Sequence, residues 1–475
     1  MKVASILLVV LAGCDSARTA PDLTGIYERA AQYEDARRNP VVVIPGVLGS
    51  RLVDAASGRV VWGAFTGDFA DPDTAEGARL MALPMAPGRA LADLVDDVHA
   101  DGALEELDIR VFGVPVRLEA YRSILRTLGA GGYVDESLMT GHPSGTLDWG
   151  SKHFTCFQFD YDWRRSIPEN AARLGVFLDA RAADVRAERA RRFGPAAGAA
   201  PVTFDLVAHS LGGLVARWYL RFGDQPAGPD APTINWSGAE RVERCVLVGT
   251  PNLGSTGALS ELVYGMHLGH FAADYPAALL GTLPAVYQLL PHWPDTFVDA
   301  RRPDDAVEPD VFGAALWRNP GWGLASPDAA EKLAQLLPEV GDPAERLRIA
   351  LDHQAKCLDE ARRVAAALDR RAELPAGLEL RLFAGDAMAT PAGAQYLVST
   401  GALWTNSTAP GDGVVTRASA LGDLRRSEDW SPRLVSPIDW TQTTFLFRDH
   451  LGLVDDPSFV DNLLFALLEE PRETR

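Results

Sequence analysis

The sequence predicts an α/β fold, a mostly parallel sheet with helices on both faces and an inserted, mainly helical cap. Three observations carry this expectation. Short apolar runs rich in Val alternate with segments of helical period, the pattern of a parallel sheet with helical crossovers. One such run, in "DLVAHSLGG" (205–213), stops abruptly on a His-Ser pair and two glycines. Between residues 255 and 376 the pattern changes to helical segments, many prolines and large aromatics, with no strong strand.

Composition sets the outer bounds. The chain has 475 residues, of which 47% are apolar, so a large core is available. The formal net charge of −19 disfavours nucleic acid as a partner and electrostatic adhesion to anionic lipid. Any membrane contact is then apolar or covalent.

The N-terminus, "MKVASILLVVLAGCDSA", sets one positive charge, Lys2, before a short apolar run, Val3 to Leu11. That run falls short of the ~20 residues needed to span a bilayer and fits a signal peptide. Its end, Leu11-Ala12-Gly13-Cys14, is similar to a bacterial lipobox. The similarity implies a signal peptide over 1–13, cleavage before Cys14 and acylation of that cysteine. The protein would then be lipid-anchored in the bacterial cell envelope, in the periplasm or on the outer face of a membrane. Residues 14–38 are polar and suit a tether. Cys156, Cys245 and Cys357 form no CxxC pair, so the sequence calls for no metal, nor for a cofactor. Cys156 and Cys245 fall in expected strands and read as buried small hydrophobes. A disulfide is allowed in an oxidising compartment, but three thiols cannot all pair.

The elements follow in order. "PVVVIPGVLGS" (40–50) reads as a buried strand, Val41 to Ile44, broken by Pro45-Gly46. Residues 54–100 are rich in Gly, Pro and Asp without a period, so an irregular, lid-like excursion over about 54–116 is expected. In "AYRSILRTLGAGGY" (120–133), Tyr121, Ile124, Leu125 and Leu128 form one helical stripe, stopped by glycines. "HFTCFQFDYDWRRS" (153–166) alternates into a strand. Ser166 then caps a helix, with Glu169 completing a capping box, and the helix runs to about Phe193 before Gly194. "VTFDLVAHS" is the next strand, "GGLVARWYLRFG" a helix, and "VERCVLVGTP" (242–251) another buried strand. "LELRLFAGD" (378–386) and "TTFLF" (443–447) return to strand. Asp456-Pro457 opens a last helix with Phe459, Leu463 and Leu467 inward. Residues 39–254 and 377–470 are thus expected to build the core, and 255–376 to cap the sheet's carboxyl edge, where α/β proteins place ligands.

The abrupt stop at Ser210 answers a chemical need. In an α/β-hydrolase the nucleophile sits on a sharp strand-to-helix turn that lifts its hydroxyl above the sheet. Strand and helix pass close there, so the residues at −2 and +2 must be small. Here they are Ala208 and Gly212. Serine needs a base. Of the nine histidines, His99, His142 and His153 precede the elbow, against the hydrolase order. His267, His270, His292 and His353 fall in the cap, and strand geometry should point His209 away from Ser210. His450, in "FRDHLGLVDD" after the last strand, holds the position of a base. Two residues compete as the acid that orients it: Asp386 in "FAGDA", just after a strand, and Asp412 in "APGDGVVTRAS", in a turn. Donors for the oxyanion would be the backbone N–H groups of Leu211 and, in the loop after the first strand, Val47.

In this order, "VVVIPGVLGSRL", "YDWRRS", "AHSLGGLVARW", "VGTPNLGS", "GDGVV" and "DHLGL" resemble the lecithin:cholesterol acyltransferase family. That family includes phospholipid:diacylglycerol acyltransferases and a lysosomal phospholipase A. The resemblance covers about 39–465 and is densest over 153–255. It implies Ser210 as nucleophile, Asp412 as acid, His450 as base, and Val47 and Leu211 around the oxyanion. The Asp-Gly-x-Val setting ranks Asp412 above Asp386. It also allows Trp163 of "YDWR" to shape an acyl pocket, with core packing as the alternative; Arg164 reads as a structural ion-pair residue. The chain departs from animal members in having no cysteine over 51–100.

The expected activity is a serine esterase that takes an acyl group from a lipid ester and passes it to water or to a lipid alcohol. The alternatives are a catalytically silent lipid-binding envelope protein on the same scaffold, or an esterase for soluble or polymeric esters.

Overall fold

The computed structural model of the chain describes residues 28–472, except positions 34, 36, 65–67, 105, 112–113, 120, 136–153, 268–273, 308, 398, 401 and 427–430. The expected signal peptide, Cys14 and most of the tether therefore lie outside the described residues, as do His142, His153 and His270.

Six parallel strands form the central sheet, in the spatial order Gln442–Leu446, Glu379–Gly385, Val242–Val248, Phe204–His209, Val41–Ile44, Cys156–Gln158. Every residue of Val41–Ile44 and of Phe204–His209 is buried, because helices cover both faces. Strand side chains alternate between the faces, and so between two cores. Val42, Ile44, Leu206 and Ala208 join the first, against the helices Ile167–Phe193 and Leu211–Phe222. Val41, Val43, Val207 and Val246 join the second, against Arg122–Ala130 and Pro457–Leu468. Cys156, Cys245 and Cys357 are buried free thiols.

Local signals act where they stand in the sequence. Ser166 Oγ accepts the Glu169 N–H, and Gly194, at φ 91°, ends that helix. The Glu169 carboxylate does not complete the capping box by reaching back to the Ser166 N–H. It takes Arg165 Nε at 2.7 Å instead. Asp456 Oδ1 accepts the Ser458 N–H at 2.8 Å and opens the last helix.

The structure departs from the sequence expectation where order depends on distant partners. The strand expected over 153–166 is only Cys156–Gln158, because Tyr161 and Trp163 beyond it turn onto the 45–50 loop. Residues 54–100 are not wholly irregular: short regular elements interrupt a stretch that is mostly turn and loop among the described residues. Ser50–Asp54, Val60–Trp62 and Val98–Ala103 form a small antiparallel sheet, and Ala75–Met81 is a helix. Strands this short show no alternation in sequence, and pairs such as Leu52 with Ala100 close over long separations. The 255–376 block, expected without strong strands, contributes Phe297–Asp299 and Arg302–Val307 to a four-stranded sheet. Phe297–Asp299 pairs in parallel with Met388–Leu397, the first arm of a hairpin whose second arm is Ala402–Gly411. Bulges at Pro391 and Gly393 break that hairpin's alternation.

Two buried arginines tie the cap to the core. Arg217 and Arg221, on the helix after Ser210, both donate to the carbonyl of Leu368, at 2.9 and 2.6 Å. Leu368 is the last residue of the long cap helix Pro343–Leu368, whose terminal carbonyls lack helical partners and carry partial negative charge. Arg217 also reaches Asn252 Oδ1 at 2.9 Å. Arg217→Met should therefore cost roughly 2–4 kcal/mol, the scale of charge-assisted hydrogen bonds lost from a buried site. Thermal melting and limited proteolysis check this: the melting temperature falls, and the first cuts move into residues 343–376.

Candidate active site

Ser210 lies between the strand Phe204–His209 and the helix Leu211–Phe222. Its φ of 52° and ψ of −126° are costly for a residue with a Cβ, about 1–3 kcal/mol. Close packing maintains this geometry. A Cβ on Gly212 would lie 2.4 Å from the Pro45 carbonyl oxygen, and one on Gly213 would lie 2.0 Å from Thr250 Oγ1. The two glycines of "SLGG" thus let the helix press against the first-strand loop and the "GTP" turn. On the other side, a Cβ on Gly46 would come within 2.7 Å of Ser210 Cβ and 3.3 Å of its Oγ. The Ser210 N–H donates to the Val248 carbonyl at 2.8 Å.

His450 stands at this same end of the sheet. A Cβ on Gly249, the residue after Val248, would lie 3.1 Å from both Cε1 and Nδ1 of His450. The imidazole is therefore adjacent to the peptide that anchors Ser210. Its Nδ1 is 2.8 Å from Asp412 Oδ2. The other carboxylate oxygen, Oδ1, accepts the N–H groups of Val414 and Val415 at 2.9 and 2.7 Å. Asp412 follows directly on the arm Ala402–Gly411 and packs against Gly385 at the end of a central strand. Burial works to raise its pKa, but the His450 charge and hydrogen bond and the two backbone donors outweigh it, so the carboxyl lies below its usual value. Asp386, the other acid candidate, faces outward to Arg417 at 3.2 Å.

The loop after the first strand is held from several sides. Tyr161 Oη donates to the Pro45 carbonyl at 2.8 Å, and Trp62 Nε1 to that of Leu48 at 2.8 Å. Trp163 is buried, donates Nε1 to the Ser50 carbonyl at 3.2 Å and meets Trp62 edge to face. Arg164 is wholly buried, between Asp162 and Asp96 and the carbonyls of Leu80 and Met81. The "YDWR" stretch thus fastens the 45–50 loop and the excursion above it. Val47 stands in the turn closed by Gly49 N–H to the Gly46 carbonyl. The Gly46 N–H is bound to Tyr121 Oη at 2.7 Å, and the next amide along the loop is that of Val47. Leu211 opens the elbow helix, so its N–H belongs to the open first turn.

Sequence reasoning missed the surroundings of His209. Its ring turns away from Ser210 to the second core, with Nδ1 3.0 Å from Tyr121 Oη and Nε2 3.0 Å from the His450 carbonyl. Strand parity gives the direction of the ring but not these partners. Among the described residues, no group of three or more His, Cys, Asp or Glu side chains could hold a metal ion.

No protein-family model matches the sequence, and no curated protein matches it. Among solved structures, a chain of the Tle4–Tli4 complex is similar over 91% of this chain and 98% of its own, with 14% identity and a TM-score of 0.51. Lipase 1 from Pelosinus fermentans is similar over 57% of this chain and 72% of its own, with 14% identity and a TM-score of 0.25, too slight to argue from. Together with the parallel sheet and the elbow, the first likeness shows an α/β-hydrolase fold.

The depressed carboxyl of Asp412 has a consequence for stability. A folded-state pKa below the unfolded one makes ionised Asp412 stabilising at neutral pH, and this contribution is lost as pH falls through the folded value. Melting temperatures of wild type and Asp412→Asn should therefore differ at pH 7 and converge as pH drops below the ordinary aspartate value of 3.8.

Proposed function

We propose that this chain is a serine esterase that removes acyl groups from lipid esters through an acyl-enzyme. The observation that carries the reading is the 2.8 Å approach of Asp412 Oδ2 to His450 Nδ1, with the imidazole beside the peptide that anchors Ser210. An Nδ1–H that donates to Asp412 leaves Nε2 free to accept a proton. Ser210 Oγ then attacks the acyl carbonyl as its proton passes to His450 Nε2. Asp412 stabilises the imidazolium, and the N–H groups of Val47 and Leu211 receive the oxyanion. His450 returns the proton to the leaving alcohol. Water or a lipid alcohol then attacks the acyl-enzyme by the same steps in reverse.

A lipid substrate is favoured by exposed apolar residues close to the acid and the base in sequence. Val414, Phe447 and Leu451 are 47%, 74% and 37% exposed, and each lies within three residues of Asp412 or His450. Large apolar side chains left in solvent there suit a long acyl chain better than a small soluble ester. The lecithin:cholesterol acyltransferase motifs support the same substrate class.

Labelled phospholipid, offered with and without a long-chain alcohol, tests the proposal. Free fatty acid alone identifies a hydrolase, and a new ester identifies a transferase. No turnover by folded protein would favour the silent scaffold. Ser210→Ala should abolish turnover. Asp412→Asn should lower kcat by about 10⁴, while Asp386→Asn leaves it within a fewfold. Loss confined to Asp386→Asn would overturn the assignment of the acid.

We further propose that acylated Cys14 anchors the protein in the cell envelope. More than one acyl chain is needed for stable anchoring. Cys14→Ser should lose incorporation of labelled fatty acid and leave the membrane fraction.

A further inference from the structure

Three hydrogen bonds join the two halves of the site through residues that the proposed reaction does not use. Gly46 N–H meets Tyr121 Oη at 2.7 Å, Tyr121 Oη meets His209 Nδ1 at 3.0 Å, and His209 Nε2 meets the His450 carbonyl at 3.0 Å. Both side chains in this chain of bonds, Tyr121 and His209, are buried away from solvent.

The ends of this chain fix its direction. A backbone N–H can only donate and a carbonyl can only accept. Gly46 therefore donates to the tyrosine oxygen, which must pass its own proton towards His209 Nδ1. Nδ1 accepts, so the imidazole carries its proton on Nε2 and gives it to the His450 carbonyl. An imidazolium would turn a second donor onto the tyrosine oxygen and leave the hydroxyl proton without its acceptor. Burial, with the nearby His450 charge, agrees by pushing the His209 pKa down to about 3. Burial also raises that of Tyr121 well above the phenol range. One neutral arrangement thus holds across ordinary pH.

We infer that His209 and Tyr121 are positioning residues, a single relay that holds the main chain of the base, His450, in register with the Gly46–Val47 loop that receives the oxyanion. The inference rests on the catalytic reading of Ser210, His450 and Val47. The relay touches no reacting atom. It acts by preventing the base and the oxyanion donors from drifting apart, since a shift of ~1 Å between such groups costs on the order of 10²-fold in rate.

The test is steady-state hydrolysis of a soluble nitrophenyl ester by wild type, Tyr121→Phe, His209→Leu, His209→Gln and the Tyr121→Phe/His209→Leu double variant. Circular dichroism sets the folded concentration of each. Tyr121→Phe and His209→Leu should lower kcat by about 10- to 100-fold with KM unchanged within twofold. The double variant should lose no more than the worse single one, because both break one chain. His209→Gln, which keeps a donor for the His450 carbonyl, should recover part of the rate. If His209→Leu does not fold, Tyr121→Phe, which deletes one oxygen, carries the comparison alone. Unchanged kcat in folded variants, or losses that multiply in the double variant, overturns the relay and leaves the esterase reading intact. Wild type that turns over neither this ester nor labelled phospholipid overturns that reading and the positioning role with it. Nitrogen NMR of the imidazoles reads the relay without turnover: His209 should stay neutral with its proton on Nε2 from pH 5 to 8, and an Nδ1–H form would overturn it.

Discussion

The structure depends on one close approach, that of the helix after Ser210 to the loop after the first strand. Gly212 and Gly46 have no Cβ to keep the two apart, and Ser210 is held between them in a conformation that a serine would not adopt alone. The rest of the fold supplies the support. Strands Val41–Ile44 and Phe204–His209 pair in register up to Ile44 with Ala208, so loop and elbow leave the sheet side by side. The strain at Ser210 is sustained by packing on both faces of these strands.

Around this contact the chain brings in groups from far apart in sequence. The hairpin Met388–Leu397 and Ala402–Gly411 delivers Asp412 to the end of the sheet, and a cap strand pairs with its first arm. The cap is thus joined to the core by a strand pairing on one side and by Arg217 and Arg221 on another. It also meets the 54–100 excursion: Lys356 Nζ donates to the carbonyls of Ala86 and Arg89, at 2.8 and 3.0 Å, and Thr282 Oγ1 accepts the Leu83 N–H. Cap, excursion and core are thus braced against one another by contacts from several directions.

What was legible in the sequence was what local physics dictates. Val-rich runs marked the central strands, Ser166 and Asp456 marked helix starts, and Gly194 marked a helix end. Small residues around Ser210 marked the elbow, and chain order singled out His450 with Asp386 and Asp412. Choosing between the two aspartates needed a motif, because both follow stretches that reach the end of one strand. The remainder was not legible because its order is non-local. Ser50–Asp54 pairs across more than forty residues with Val98–Ala103, and bulges at Pro391 and Gly393 mask a ten-residue hairpin arm. The His209 contacts were hidden for the same reason: Tyr121 is 88 positions away and the His450 carbonyl 241.

In the proposed reaction one hydroxyl, at 210, is made reactive by one imidazole, at 450. A fluorophosphonate probe tests it most directly, read by intact mass and peptide mapping on wild type and on folded His450→Ala. A single adduct per chain is expected, on Ser210, formed far more slowly without the imidazole. An adduct on another residue, or equal rates in the two proteins, would contradict it.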